Sequence, residues 1–439
     1  MNILTLSEVI AVIHKEIEKR DFLKEHTPAN EAIYNKMCGG TFEAVETGRG
    51  KEKCLIPQVG TMHFLYRGQG DEYVPCLPVI YRGNTDLVGI FIERMRLTVF
   101  RRLLESHPVV EHFFRRNNFL VDVEGLAQHY GLKTSVLDLT SSLDVALFFA
   151  MCPYDKEHDV YTFYNDGMQH EGILYVFLPL FDNEPCPAGI GNAFLNGSIR
   201  PIGLQAFERP GNQQGYGLHL KPGESIKAYM YRFSFTCEES ETFNRKFGAG
   251  EGLWVKDELV DKTRAISMQT SFSYNVFNET YEKYRPKGYS RSRLKRELAG
   301  SIELKSNVAD MVFSDEEKKR IVERWNGYLG KQVAERIFRK RNFDYERKVI
   351  GEDGHEKITG IHNENDYRSV KQLETFQMLT AIACPDAIEG AEWKNYMETP
   401  MTKWKKPGTN DGEWVRVPAH MEDFFGKAYL EEKDWKIIN

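Results

Sequence analysis

Gln128-His129-Tyr130-Gly131 leads through Val136-Leu137-Asp138-Leu139-Thr140-Ser141-Ser142 into Asp144-Val145-Ala146-Leu147-Phe148-Phe149-Ala150. This stretch sets polar chemistry at the seam between two apolar elements. Gly131 breaks a short helix-like run, Val136 to Leu139 extends as a strand, and Ser141 or Ser142 caps the apolar helix that follows. A helix N-terminus exposes unpaired N–H groups and partial positive charge, so the seam suits a phosphate or a polarised sugar hydroxyl. The plainer alternative is that Asp138 and Thr140 only satisfy backbone groups at a turn. His129 with Asp138 as its orienting group is a candidate general base, or else a hydrogen-bonded packing residue. No Gly-x-Ser-x-Gly elbow and no reactive cysteine context accompany it.

The elements that must position these residues are legible in outline. His63 to Tyr66, Ile173 to Leu178, Tyr216 to Leu220 and Ile226 to Phe235 read as strands, the last with Tyr229, Tyr231, Phe233 and Phe235 alternating. Leu87 to Glu105 reads as the longest helix, with Val88, Ile92, Met95, Val99 and Leu103 forming a core-facing stripe. Leu253 to Val255 and Ala265 to Thr270 are expected to add strands. The chain is helical up to about Cys38, and Met37-Cys38-Gly39-Gly40-Thr41 reads as a break. After Val276 it turns mostly helical. Ser314 and Glu317 form a capping-box pattern before Ile321, Val322, Trp325, Tyr328, Leu329, Val333, Ile337 and Phe338 at helical spacing, and Gly351 to Asn365 reads as a long polar loop. The expected organisation is an N-terminal helical segment over 1–50, an α+β domain over 51–275 and a mostly helical region over 276–439.

A second motif lies upstream, where Phe64-Leu65-Tyr66-Arg67-Gly68-Gln69 is followed by Val74-Pro75-Cys76-Leu77-Pro78-Val79-Ile80-Tyr81-Arg82. With Gln128 to Ala150, it resembles the FRG domain, a mostly bacterial family named for its Phe-Arg-Gly signature, with Tyr66 standing in for the Phe. The resemblance runs from about Cys54 to Phe235 and includes Gly172 to Val176 and Gln213-Gln214-Gly215-Tyr216. The order of Tyr-Arg-Gly, a Ser/Thr before an apolar helix and a late Gln-rich turn is also similar to that of ADP-ribosyltransferases. That resemblance implies split antiparallel sheets clasping NAD, surrounded by helices, and an enzyme that modifies a macromolecular acceptor, as toxin or defence effectors do. A non-catalytic nucleotide- or partner-binding module is the alternative.

Cleavage of the nicotinamide–ribose bond develops positive charge on the ribose, so each implied residue has a physical role. Arg67 supplies a planar fork for a phosphate or ribose oxygen, and Thr140 orients it or the ribose. Gly68 lets the ligand approach the backbone, while Tyr66, Tyr130 or Tyr216 stacks on the nicotinamide. Gln69, His129 and Ser141 complete the expected binding set. Gln214 can hold a ribose hydroxyl, but an amide cannot oppose the developing charge. Asp138 or Glu208 is expected to supply that carboxylate.

With 439 residues, 41% hydrophobic and 28% charged, the chain can bury a large core spread over two or three domains. No apolar run approaches the ~20 residues of a membrane span. Leu4 to Lys19 carries Glu8, Glu16 and Glu18 in an amphipathic pattern rather than a signal peptide, so the expected location is the cytoplasm. Seven cysteines without a Cys-x-x-Cys pair argue for reduced thiols, and no metal site is visible. No Gly-x-x-x-x-Gly-Lys loop supports nucleoside-triphosphate hydrolysis. Between Tyr281 and Lys348, 19 Lys and Arg face 11 Asp and Glu, within a chain of net charge −6. Its densest piece, Arg285, Lys287, Arg291, Arg293, Lys295 and Arg296 with Tyr284 and Tyr289, is a candidate face for nucleic acid or an acidic partner, or else a solvated helix surface.

Overall fold

The computed structural model describes residues 3–26, 42–46, 53–57, 64–111 without 74, 84 and 85, 120–177, 199–203, 207–224, 228–329, 348–350, 356–358, 402–405 and 412–415. Its centre is a seven-stranded sheet built from β1 (Leu4–Thr5), β2 (Leu65–Gln69), β3 (Val136–Thr140), β4 (His170–Phe177), β5 (Ile199–Pro201), β6 (Gly215–His219) and β7 (Tyr229–Phe235), in the order β1-β7-β4-β2-β3-β6-β5. All neighbours are antiparallel except β1 and β7. The fold is therefore α+β. β4 buries six consecutive residues, because both of its faces are covered.

The sheet has a weak seam. β4 pairs with β2 from Leu65 opposite Phe177 to Gln69 opposite Ile173, and β3 pairs with β6 along its whole length. Between β2 and β3 the register holds a single pair, Tyr66 opposite Thr140. The four-strand half and the three-strand half are joined there alone.

On one face, Leu6, Val9 and Ile13 of α1 (Leu6–His26) and Ala146, Leu147 and Ala150 pack over Tyr66, Leu174, Val176, Phe233 and Phe235. Leu6, Val9 and Ile13 thus share the sheet's core. On the other face, Leu65, Leu137, Leu139, Ile173, Tyr175, Phe177 and Tyr216 make a second cluster. A third cluster lies in the helical layer, where α2 (Leu87–Glu105) contributes Phe91, Met95, Phe100 and Leu103. The Asp86 carboxylate caps α2 by accepting from Gly89 N at 2.7 Å. The same cluster contains Leu259 and Phe272 with Phe277, Leu294, Phe313 and Trp325, from both sides of residue 275.

Two expected strands are absent. Ala265 to Thr270 mostly belongs to a helix, Glu258–Met268, because Asp257 caps it at Leu259 N (3.0 Å) and Leu259, Thr263 and Ile266 recur at helical spacing. Leu253 lies in a turn held by Gly250. Ser314 and Glu317 do form a capping box over Asp315–Arg324, and a π-helical turn at Trp325–Leu329 follows. Val333, Ile337, Phe338 and the Met37 to Thr41 break lie outside the described residues. Within the expected loop over Gly351 to Asn365, Glu356–Ile358 pairs with Lys348–Ile350 as a hairpin. Among the described residues no helix is long and apolar enough to cross a membrane.

Candidate functional site

The β2–β3 seam exists because two local demands conflict. A Cβ on Gly68 would lie 1.7 Å from the carbonyl oxygen of Ala146, so α3 (Leu143–Met151) rests directly on the β2 backbone. Ser142 sets that helix by accepting from Val145 N at 3.3 Å. Thr140, meanwhile, is fastened the other way, donating to Gln213 O at 2.7 Å and accepting from Ser142 N at 3.0 Å. Past Tyr66 and Thr140 the strands no longer pair. The Arg67 guanidinium enters the opening, and Nη1 donates to the Asp138 carbonyl at 2.8 Å.

Strand alternation places Tyr66, Thr140 and Asp138 on one face of the seam and Arg67 and Gln69 on the other. On the Arg67 side, Gln69 accepts a weak bond from Cys76 Sγ at 3.8 Å. Arg82 donates through Nε to Leu77 O at 2.8 Å and stands 5.7 Å from the centre of the exposed Tyr73 ring. Burial, and then the Arg67 charge, lower the Arg82 pKa from its ordinary value. The Arg67 charge beside Arg82 disfavours the Arg82 charge, which an anion placed there would relieve. Arg67 Nε is buried there without a hydrogen-bond partner.

On the Asp138 side, Oδ2 accepts from Gln128 Nε2 at 3.1 Å, and Gln128 Oε1 accepts from Thr134 Oγ1 at 2.8 Å. Asp138 Oδ1 lies 3.6 Å from His129 Nε2, beyond hydrogen-bond reach, and both atoms are buried and unpartnered. Burial lowers the His129 pKa against the opposing pull of Asp138 and Gln213. The result is an imidazole held towards its neutral form beside a carboxylate whose side chain is 36% exposed. His129 is fixed from behind, since Arg209 Nη1 donates to its carbonyl at 3.2 Å. Ser141 closes the edge, with Oγ donating to Gln214 Oε1 at 3.1 Å and its amide to Gln214 O at 3.2 Å. Gln214 adopts a left-handed φ of 47° to present its amide there.

Arg67 meets Asp138 only through its backbone carbonyl, while Thr140 and Ser141 bond to Gln213 and Gln214, and three expectations need correction. Gly68 approaches a helix backbone, so the space its missing Cβ leaves is already filled by protein. The three tyrosines offered as stacking surfaces are core residues. Tyr66 and Tyr216 sit in clusters on opposite faces of the sheet, and Tyr130 packs in the helical core with its hydroxyl on Asp257. Burial raises the pKa of Tyr130 and Tyr216. Finally, Glu208 stands near Arg324 and favours its charge, on the helical side of the molecule.

Residues 62–159 match the family model of the FRG domain. The chain carries an FRG domain. No curated protein and no solved structure matches the chain. The FRG domain match covers β2, β3 and α3, whereas Gln213, Gln214 and β4 to β7 lie beyond it. Sequence reasoning missed Tyr73, Arg82, Gln128 and Arg209 as parts of the site. Tyr73 and Arg82 bracket the second half of the upstream motif, which was their signal; Arg209 carried none, because its partners are backbone carbonyls of His129 and Val255.

The basic stretch is largely engaged with its own chain. Arg285 and Arg291 pair with Glu282, and Arg293 pairs with Glu297 at 2.9 Å while lying over the Tyr289 ring. Tyr284 is covered by Arg94 at 4.3 Å. These contacts describe a charged helix surface rather than open stacking platforms, and residues 330–347 of the stretch lie outside the described residues.

Proposed function

We propose that the FRG domain binds NAD at the β2–β3 seam and transfers its ADP-ribose to a macromolecular acceptor. The observation that carries this reading is that three buried polar atoms without hydrogen-bond partners belong to residues of the β2–β3 seam and its flank, Arg67 Nε on one face and His129 Nε2 and Asp138 Oδ1, 3.6 Å apart, on the other. Such atoms cost about 1–3 kcal/mol each when left unsatisfied, so a polar ligand that reached them at the seam would be favoured. Arg67 and Arg82 suit the diphosphate. Tyr73 replaces the buried tyrosines as the ring available to stack on a base. Asp138 opposes the positive charge that develops on the ribose as nicotinamide departs with the bonding electrons. The acceptor nucleophile then bonds to the ribose carbon and gives up its proton, with neutral His129 as the nearest base. In this reading the protein acts as a toxin or defence effector.

A second reading is a non-catalytic nucleotide-binding FRG module. Gln214 at the third position favours it, because an amide carries no charge to oppose an oxocarbenium ion, and the Thr140 hydroxyl is already committed to Gln213 O. Incubation with NAD separates the two. Nicotinamide release with label transferred to protein or nucleic acid supports the transferase. Saturable NAD binding without release under every acceptor condition supports the module, and no binding at all removes both.

A further inference from the structure

At the start of β4 and just past the end of β7, Asp166, His170 and Cys237 bring a carboxylate, an imidazole and a thiol to within 4.8 Å of one another. We propose that this triad binds a zinc-class divalent ion with one coordination position open to solvent. The inference is independent of the nucleotide reading.

The fold itself builds the triad. His170 opens β4 and pairs with Phe235, the last residue of β7. Two residues on, Cys237 begins the helix Cys237–Lys246, which is capped by the Thr236 hydroxyl. The strand register therefore fixes the imidazole and the thiol side by side although they are distant in sequence. Asp166 is returned to them by a turn in which Gly167 adopts a φ of 73° and Met168 N donates to Asp166 Oδ1 at 2.9 Å. The imidazole is oriented by stacking on Tyr164, with ring centres 3.7 Å apart and planes 21° from parallel. Tyr164 is itself anchored to the same helix, its amide donating to Ser240 Oγ at 3.3 Å.

The donors converge as ligands do. His170 Nε2 stands 2.9 Å from Asp166 Oδ1, and Cys237 Sγ stands 3.6 Å from that oxygen and 3.4 Å from Met168 O. These separations are close to those between neighbouring ligands around a tetrahedral ion with bonds of about 2.0–2.3 Å. One sulfur, one nitrogen and one oxygen donor select a borderline ion such as zinc over magnesium or calcium, which prefer all-oxygen shells. Three protein ligands leave a fourth position for water, and Asp166, 40% exposed, marks the side from which the ion enters. Binding converts the Cys237 thiol to thiolate and releases its proton, while Nε2 of His170 must present its lone pair, so affinity falls as pH is lowered. The absence of a Cys-x-x-Cys pair hid the site, since its ligands come from a strand start, a helix start and a turn.

The test uses the full chain, stripped with a chelator and titrated with Co²⁺ and then Zn²⁺. The expected result is one equivalent of Co²⁺ giving a thiolate-to-metal charge-transfer band, displaced by Zn²⁺, with the band lost in Cys237→Ser. His170→Gln should weaken Zn²⁺ binding by roughly tenfold or more, and Zn²⁺ should raise the melting temperature of the wild type but not of that variant. A band that persists in Cys237→Ser overturns the proposal. So does a folded wild type that takes up no Co²⁺. Should Cys237→Ser fail to fold, unchanged Zn²⁺ affinity in His170→Gln overturns it equally.

Discussion

Arg67 and Asp138 meet through a backbone carbonyl, so each can be altered without deleting the other's side-chain environment. Lys at position 67 keeps a charge but offers no planar fork with two parallel donors. Arg67→Lys should weaken NAD binding by roughly tenfold to a hundredfold at nearly unchanged melting temperature, measured by calorimetric titration and thermal unfolding. A collapse in melting temperature with unchanged affinity in the surviving protein would assign Arg67 to structure. Asp138→Asn keeps an acceptor for Gln128 and removes the charge. In the transferase reading it should cut nicotinamide release by roughly two to three orders of magnitude with little change in NAD affinity. At this scale the sequence exposed residue types but not directions. Arg67, Asp138 and Thr140 were visible as polar residues in apolar surroundings, and their convergence could be argued from that. Whether a tyrosine faces the opening or the core depends on strand parity and on what covers each face, and neither is written in a single motif. Tyr66 points to the face opposite Leu65, and the packing of α1 and α3 over that face makes it a core.

The contact between α3 and β2 is the element-level determinant of the seam. Gly68→Ala would drive a Cβ into the Ala146 carbonyl, and backbone rather than a flexible side chain must yield, so a loss of at least ~3 kcal/mol is expected in urea unfolding. Gly70 is the control. A Cβ there meets only Ala150 O at 3.8 Å, an ordinary contact, and Gly70→Ala should be close to neutral. The helix Leu87–Glu105 was legible because three signals agreed, the Asp86 cap, a sustained apolar stripe and good helix formers between them. Ala265 to Thr270 was misread because the helix over Glu258–Met268 keeps its cap and first apolar residue, Asp257 and Leu259, outside the window taken as a strand. The strands were found to within a few residues wherever alternation was strong, as at Tyr229–Phe235.

Across the whole molecule, the helical layer depends on a histidine kept neutral. His107 is packed against Phe207 and Phe313, accepts from Val110 N at 3.3 Å, and is lowered by burial from its ordinary 6.5 to about 3. The unfolded chain therefore binds a proton that the native protein refuses. The native state is at full advantage above about pH 6.5 and loses stability progressively as pH falls towards 3. His129, also lowered by burial, acts in the same direction. Urea midpoints measured from pH 7 to pH 4 should fall, and His107→Gln should flatten the slope; an unchanged slope would remove His107 as its source. Charge and periodicity change near residue 276, yet Leu259 and Phe277 bury their side chains in one cluster, a packing relation that periodicity along the chain does not carry. Tyr66 opposite Thr140 is a single rung between a ladder of four strands and a ladder of three. Breaking one rung costs little beside either ladder, so the amide protons of the two halves should exchange with solvent at separate rates, as two units that open independently. A ligand that bridges Arg67 and Asp138 ties those openings together and slows exchange in both halves at once, whereas one resting on a single half protects that half alone.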